Sequence, residues 1–132
     1  MPQAINFSIA ASIGIHSLIV LAREKKPLNA IQLAEKIGSS KYNIGKVLQR
    51  LVKDGLLTSL RGPTGGFNLK KDPSQIYIYD VYRSIEGEIE LGECPNQNRV
   101  CPLDMCIRDT IIKPISTQFI DILKSSTIQD YI

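Results

Sequence analysis

A short helical pattern followed at once by a glycine-rich turn constrains the fold of this chain more than any other feature. In residues 40–55 the apolar side chains recur at the spacing of a helix buried along one side, and they are Ile44, Val47, Leu48, Leu51 and Val52. Ser40 is suited to capping this helix, and Gly55 to ending it. A shorter amphipathic helix is predicted over residues 28–38. Two short helices joined by a tight turn predict a helix-turn-helix.

The outer face of the second helix is rich in cationic and hydrogen-bonding side chains, with no acid before Asp54. In a helix-turn-helix this helix enters the DNA major groove, with its first residues nearest the base edges. Cations there are expected to bind phosphates, and polar side chains to position or read bases. The predicted phosphate contacts are Lys41, Lys46 and Arg50. The predicted base contacts on this helix are Ser40, Tyr42 and Asn43.

The next segment, LLTSLRGPTGGFNLKKD, predicts a β-hairpin with strands at Leu56–Leu60 and Phe67–Lys70. A hairpin in this position is a wing. Arg61 at its base and Thr64, Gly65 and Gly66 at its tip are expected to contact phosphate or the minor groove, and Arg61 is also expected to position or read bases. A nucleotide-binding phosphate loop is excluded, because no Gly-Lys-Ser/Thr ending and no helix follow the glycines.

Charge is unevenly distributed along the 132 residues, whose net charge is +3. Residues 1–75 hold eleven Lys and Arg against four acids, a balance of +7, whereas residues 76–132 hold five against nine, a balance of −4. A basic half suggests a polyanionic partner. We therefore predict a winged helix-turn-helix DNA-binding domain over residues 1–75, and a cysteine-loop and dimerisation region over residues 76–132.

The second part is also predicted to be helical, so the fold class is mainly α with a small β-hairpin wing. One helix is expected over residues 76–87 and a longer one from about Leu103 to Leu123, which Pro114 should kink or break. The long helix carries an apolar stripe of Ile107, Ile111, Ile115, Phe119, Ile122 and Leu123. A small domain cannot cover such a stripe alone, so a homodimer is predicted.

The uncharged stretch AINFSIAASIGIHSLIVLA has the length of a membrane or export segment. Polar residues interrupt it, and the charged residues that open a signal peptide are missing. We predict instead a helix buried on most sides, in a cytoplasmic protein with no membrane partner. Because thiols stay reduced in the cytoplasm, metal or redox chemistry is favoured over a disulfide.

All three cysteines lie in the segment GECPNQNRVCPLDMC, which has the composition of a loop. Thiolates are the usual protein ligands of zinc and of iron–sulfur clusters. Structural zinc favours closer pairs and a fourth Cys or His, and the single histidine, His16, is distant in sequence. A catalytic cysteine needs a nearby base, so no enzyme is predicted. An iron–sulfur cluster, zinc, reactive thiols and buried structural cysteines remain as alternatives.

The order of these features resembles the Rrf2 family of bacterial winged-helix regulators. The resemblance lies in the helix-turn-helix, RGPTGGF, IYDVYRSIEG and a three-cysteine loop before a long helix. It implies a homodimer that binds palindromic double-stranded promoter DNA. In several members an iron–sulfur cluster, held by three cysteines of this loop and one other side chain, tunes DNA binding. Carried over, the cluster and metal ligands are Cys94, Cys101 and Cys106. The family's DNA-contact positions fall on Ser40, Tyr42, Gly45 and Arg61.

The chain departs from the family pattern around the cluster ligands. Six and then four residues separate the cysteines, where the iron–sulfur members have five and five. Asp109 stands where one member has a ligating His, and Ser12 where another supplies an Asp. His16 matches a cluster-binding His of a redox-regulating member. The resemblance therefore implies His16 of the partner subunit as fourth ligand, with Asp109 second and a purely structural His16 as the alternative.

The combined prediction is a dimeric transcription repressor that senses redox state, nitric oxide or iron–sulfur status through the cluster. One alternative keeps the DNA-binding regulator but replaces the cluster by thiol chemistry or zinc. The other is a small iron–sulfur electron carrier, which predicts colour without salt-sensitive DNA binding. The basic first half and the wing argue against that carrier.

Overall fold

The computed structural model describes residues 5, 7–63, 65–90, 94 and 100–132. It confirms a mainly helical chain with one two-stranded antiparallel hairpin. The main elements are α1 (Ile9–Glu24), α2 (Ala30–Ile37), α3 (Lys41–Lys53), β1 (Leu57–Leu60), β2 (Gly66–Leu69), α4 (Ile78–Glu86) and α5 (Lys113–Ser125). Short 3-10 turns lie at Pro73–Gln75 and Ile128–Tyr131. No helix in the described part of the chain is both long and apolar enough to cross a membrane.

Side-chain caps define the starts of the first three helices. The Ser40 hydroxyl accepts the Asn43 amide at 3.1 Å, which confirms Ser40 as the N-cap of α3. Asn29 and Gln32 form a capping box at α2, with bonds of 2.8 and 2.9 Å. Gly38, with φ of 77°, then reverses the chain between α2 and α3. The tight turn of the helix-turn-helix therefore follows from local sequence.

The core lies between α1, α3 and α4, and apolar side chains from all the helices reach it. Gly14 allows α1 and α4 to approach closely, because a Cβ there would lie 2.6 Å from Cδ1 of Ile85. Leu123 and Ile128 belong to the same core as the helix-turn-helix. Residues on both sides of position 75 therefore share one hydrophobic core.

The wing is short and is fixed at its base. Leu57 pairs with Leu69 and Leu60 with Gly66, one residue from the predicted strand limits. Phe67 also exchanges backbone hydrogen bonds of 2.8 and 3.2 Å with Leu28, which precedes α2. Gly66 permits this contact, since it has φ of 143° and a Cβ there would lie 2.6 Å from the Leu28 carbonyl. The hairpin is thereby attached to the helix-turn-helix.

The last long helix starts later than the sequence predicted. Residues 103–106 are not helical, so the predicted start at Leu103 was wrong. A π-helical turn spans Arg108–Ile112, and α5 begins at Lys113 with Pro114 in its first turn. Pro114 has no N–H to donate, which is tolerated in the first turn of a helix. The change from π-helical to α-helical hydrogen bonding occurs just before it, while the backbone stays helical from Ile107 to Ser125.

Candidate nucleic-acid interface and cysteine segment

The outward face of α3 presents one shallow depression, which we call the α3 surface. Its residues fall at successive helical turns and are Lys41, Tyr42, Gly45, Lys46 and Gln49. The Tyr42 side chain is 70% exposed, and Nζ of Lys46 lies 4.9 Å from the centroid of its ring. Five residues that share this face thus include two cations, an exposed aromatic ring and a side-chain amide.

The remaining predicted helix contacts lie beside this surface. Asn43 lines a second groove with Ile9 and Ile13 of α1. The Ser40 hydroxyl oxygen is engaged in capping α3. The N-terminus of α3 also presents backbone amides and the positive end of the helix dipole, which favour an anion.

Arg50 occupies a different position from the other predicted cations. Its Nε donates a 2.9 Å hydrogen bond to the backbone carbonyl of Ser84 in α4 and lies 3.6 Å from Oδ2 of Asp54. The Ser84 hydroxyl donates to the same Asp54 oxygen at 2.5 Å. We call these three residues the α3–α4 clasp. The sequence predicted only a phosphate contact for Arg50, because its partner on α4 is distant along the chain.

Apart from Arg50, the cations predicted to contact DNA have no acidic partner among the described residues. Within the described residues, Lys41, Lys46 and Arg61 form no ion pair. Arg61 is exposed at the base of the wing, and the Gly65 amide closes the turn on the Gly62 carbonyl at 3.0 Å. Thr64 lies outside the described residues. The charges of Lys41, Lys46 and Arg61 are therefore available to an external polyanion.

The cysteine segment comprises residues 94–106, of which the structure describes Cys94 and residues 100–106. Cys94, Cys101 and Cys106 are all exposed free thiols. Among the residues with described positions, no three His, Cys, Asp or Glu side chains are grouped to hold a metal ion. The donor types suit zinc or an iron–sulfur cluster, but the described part of a single chain does not gather them.

The two candidate fourth ligands lie on different elements. His16 is exposed on α1, with Nδ1 2.7 Å from the Ser12 carbonyl oxygen and 3.3 Å from the Ser12 hydroxyl. Asp109 lies in the π-helical turn, paired with Arg108 at 3.0 Å. The backbone carbonyl of Cys106 accepts two bonds from Thr110, at 2.7 and 2.9 Å. The last cysteine is therefore anchored to the start of the C-terminal helix.

An aromatic cluster joins the elements on either side of the cysteine segment. Phe7, Tyr82 and Phe119 contact one another edge to face, with ring centroids 5.4 to 6.0 Å apart. Ser8, the N-cap of α1, donates to the carboxylate of Glu86 at the end of α4. Burial raises the pKa of the Tyr82 hydroxyl, and the nearby Glu86 charge adds to this. The helix before the segment and the helix after it are thus held to the start of α1.

The C-terminal helix leaves apolar side chains uncovered. Four of them, each 52 to 54% exposed and lying on α5 or in the helical residues just before it, form what we call the α5 stripe, namely Ile107, Ile111, Ile115 and Ile122. Val100, Leu103 and Met105 in the cysteine segment are also exposed. This apolar surface lies next to the thiols in the sequence, and nothing in the described part of the chain covers it.

Comparison with known proteins identifies consistent relatives. The Rrf2 family model, described as an iron-dependent transcriptional regulator, matches residues 7–132. "Protein aau3" of Rhizobium meliloti is 29% identical over 121 residues, covering 89% of this chain and 79% of that protein. The HTH-type transcriptional regulator IscR of Photorhabdus laumondii is 25% identical over 114 residues, covering 86% of this chain and 70% of that protein.

Solved structures share the fold across almost the whole chain. CymR, described as the global cysteine regulator of B. subtilis, superposes with a TM-score of 0.79 at 24% identity, covering 96% of this chain and 95% of that one. IscR of T. potens gives a TM-score of 0.76 at 23% identity, covering 96% and 85%. The oxidised form of Staphylococcus aureus CymR gives 0.74 at 23% identity, covering 96% and 94%. At these identities the likeness establishes the winged-helix fold.

Proposed function

Because this chain belongs to the Rrf2 family of transcriptional regulators, we propose that it is a dimeric repressor that binds double-stranded promoter DNA and senses a redox-linked signal at its cysteine segment. The observation that carries the DNA-binding part is the α3 surface, where Lys41 and Lys46 are exposed and form no ion pair within the described residues. Phosphate contacts by these lysines and Arg61 would orient α3 so that side chains near its start meet base edges.

Salt dependence of DNA affinity tests this part directly. Lys41→Ala, Lys46→Ala and Lys113→Ala provide two test variants and an exposed lysine control on α5. Each lost phosphate contact should lower the slope of log affinity against log salt by about 0.9, and Lys113→Ala should leave it unchanged. Fluorescence anisotropy with a promoter duplex measures the slope. Equal slopes for all four proteins would contradict the proposed role of α3.

The α5 stripe supports the proposed dimer. A second copy that covered Ile111 and Ile115 would remove from water apolar surface that the described part of one chain leaves exposed. A two-fold dimer would also set the spacing of two α3 helices, which must match roughly 34 Å, one turn of DNA. A small change at the dimer interface would then alter DNA affinity, which is how a signal at the adjacent cysteine segment would be transmitted.

For the sensor we propose an iron–sulfur cluster held by Cys94, Cys101 and Cys106, with His16 of the partner copy as fourth ligand and Asp109 as second choice. When bound, such a group supplies a redox-active and nitric-oxide-reactive centre. The donor types support this proposal, whereas the absence of a grouped set in the described residues requires that the segment rearrange or that the dimer complete the site.

Thiol sensing without iron is the second candidate. Three exposed free thiols are available to oxidation in the conformation described, and CymR, a protein of similar fold, is described as a global cysteine regulator. Anaerobic purification followed by an absorption spectrum and iron, sulfide and zinc assays separates these readings. Colour with stoichiometric iron and sulfide supports the cluster, and bound zinc or colourless metal-free protein supports the alternative. Coloured protein without salt-sensitive DNA binding would indicate an electron carrier.

A further inference from the structure

Gly45 lies in the middle of α3, although neither packing nor backbone geometry requires a glycine there. A Cβ at this position would meet no atom within 4 Å, and its φ is not positive. Gly14 and Gly66 differ, since a Cβ at either would meet a neighbour at 2.6 Å. A glycine inside a helix is less stable than an alanine. No described atom lies close enough to Gly45 to require the absence of a side chain, which points to a partner outside the chain.

The surroundings of Gly45 indicate what approaches it. Gly45 lines the α3 surface together with Lys41, Tyr42 and Lys46, and most of the exposed lining of this depression is apolar. The ammonium groups of the two lysines make its rim cationic. The site therefore suits a small apolar group carried on a polyanion. In the DNA major groove that group is the C5-methyl of thymine.

Gln49 adds a second recognition element one helical turn beyond Gly45. It lines the same depression and is exposed. A glutamine amide can donate to N7 and accept from N6 of adenine in a bidentate pair. A thymine methyl at Gly45 and an adenine at Gln49 would lie in the same stretch of groove, because positions i and i+4 share a helix face.

We propose that the α3 surface selects an A·T pair in each DNA half-site, with Gly45 admitting the thymine methyl and Gln49 pairing with adenine. This proposal rests on the proposed DNA-binding function and adds the base that is read. Gln49 was absent from the contacts predicted from sequence, although its outward, polar position on the helix was visible there.

Deoxyuridine substitution tests the methyl contact without altering the protein. A high-affinity site is first selected from randomised duplexes with the full-length chain, and each thymine in it is then replaced by deoxyuridine. At one position per half-site, affinity should fall about threefold to fivefold, because one buried methyl group is lost. Replacements elsewhere should be neutral. If deoxyuridine is neutral at every position, the proposal is overturned.

Protein variants link that position to the two residues. Gly45→Leu fills the depression, so it should bind the selected site at least about tenfold more weakly while retaining its salt-dependent binding to random DNA. Its residual binding should no longer distinguish thymine from deoxyuridine. Gln49→Ala should lose an adenine preference of about fivefold or more at one position, whereas Gln118→Ala on α5 should not.

The outcomes separate this inference from the proposed function. A selected site that lacks a thymine coupled to Gly45, with salt-sensitive specific binding intact, overturns the inference alone. Failure of the wild-type chain to enrich any site, in both cluster-loaded and metal-free forms, overturns the DNA-binding function together with it.

Discussion

The α3 surface and the cysteine segment differ in how completely a single chain builds them. On α3, the Ser40 cap and the buried side chains of Ile44 and Leu48 fix the helix, so its outer residues are held in place by the chain itself. In the cysteine segment, three exposed thiols are not grouped in the described residues, and the α5 stripe beside them is uncovered. The α3 surface is complete in a single chain, whereas the proposed sensor requires a second chain or a rearrangement of the cysteine segment.

This difference follows from the kinds of interaction that each region uses. Caps, apolar stripes and hairpin pairing act between residues that are near in sequence or buried in one core. Metal ligation and subunit contacts act between groups that another molecule brings together. Such a difference would suit a regulator, since the cysteine segment could respond to a signal while the α3 surface keeps its shape.

The largest expected effect contrasts a core residue with a stripe residue. Leu48 is 0% exposed, so Leu48→Ala should lower the free energy of unfolding by about 2–5 kcal/mol. Ile115 is 54% exposed, so Ile115→Ala should change the stability of a single chain by less than about 0.5 kcal/mol. It should instead raise the dimer dissociation constant about tenfold or more, since each dimer loses the side chain twice.

Urea unfolding at matched protein concentration and sedimentation equilibrium measure these two effects. The core variant serves as the control for the interface variant, since loss of stability alone should not weaken association of the remaining folded chains. An unchanged dissociation constant for Ile115→Ala would show that the α5 stripe is not the dimer surface.

The next largest effect is expected at the α3–α4 clasp, which holds α3 to α4. The Ser84 carbonyl is among the last four of α4, which lack partners within the helix, and Arg50 supplies its hydrogen bond. Arg50→Gln should therefore cost about 1–3 kcal/mol of stability. Arg50→Lys keeps the charge but not the Nε geometry, so it should restore DNA affinity and its salt dependence without restoring stability.

Thermal unfolding and anisotropy on the same proteins separate the two roles of Arg50. If Arg50 acts only on phosphate, both variants should unfold like the wild type and only Arg50→Gln should bind DNA more weakly. If it acts only in the clasp, Arg50→Lys should resemble Arg50→Gln in stability, and neither should alter the salt slope.

Local patterns in the sequence predicted α3 and the β-hairpin well. The stripe of α3, its Ser40 cap and the hairpin are encoded by spacing and by residue type, which act over a few positions, so these predictions were confirmed. The bridge between Leu28 and Phe67 and the close contact of Gly14 with Ile85 could not be predicted, because they join residues that only the folded chain brings together.

The second region could be predicted only in part. Its amphipathic helices were visible, but the π-helical turn that delays α5 until Lys113 has no period of its own in the sequence. The Arg50 side chain is held by the backbone carbonyl of Ser84, which lies 34 residues away and could not be identified as its partner from the sequence. The ligand set implied by the family resemblance stays a prediction, because the described residues of one chain do not bring these side chains together.

A smaller effect of opposite sign is expected at Gly45. Gly45→Ala introduces a Cβ that meets nothing within 4 Å, so it should stabilise α3 by about 1 kcal/mol. For a chain of this length that is a rise in Tm of about 4 °C. The same variant should bind its selected DNA site more weakly. A more stable protein with undiminished DNA affinity would show that the glycine serves no external partner.

The smallest effect is expected at an ion pair between α1 and α2 that weakens in acid. Nζ of Lys36 on α2 lies 2.8 Å from the Glu24 carboxylate at the end of α1, and its hydrogen bond and charge lower the pKa of Glu24 below the ordinary value of 4.5. Because the folded pKa is the lower one, this contact stabilises the fold above pH 4.5 and is lost as pH falls through the folded pKa. Glu24→Gln should therefore unfold at slightly lower urea than the wild type at pH 7, and the two should converge as the pH falls below the folded pKa of Glu24.

Glu35→Gln on α2 is the matched control, since it removes one exposed carboxylate of the same type and forms no described ion pair. The difference between the two variants at pH 7 isolates the contact with Lys36 from the general effect of net charge. High salt should reduce that difference, because both partners are partly exposed. If the difference instead persisted in acid, where the Glu24 carboxylate is protonated, the stabilisation would come from packing of the Glu24 side chain, and α1 and α2 would be joined without the help of charge.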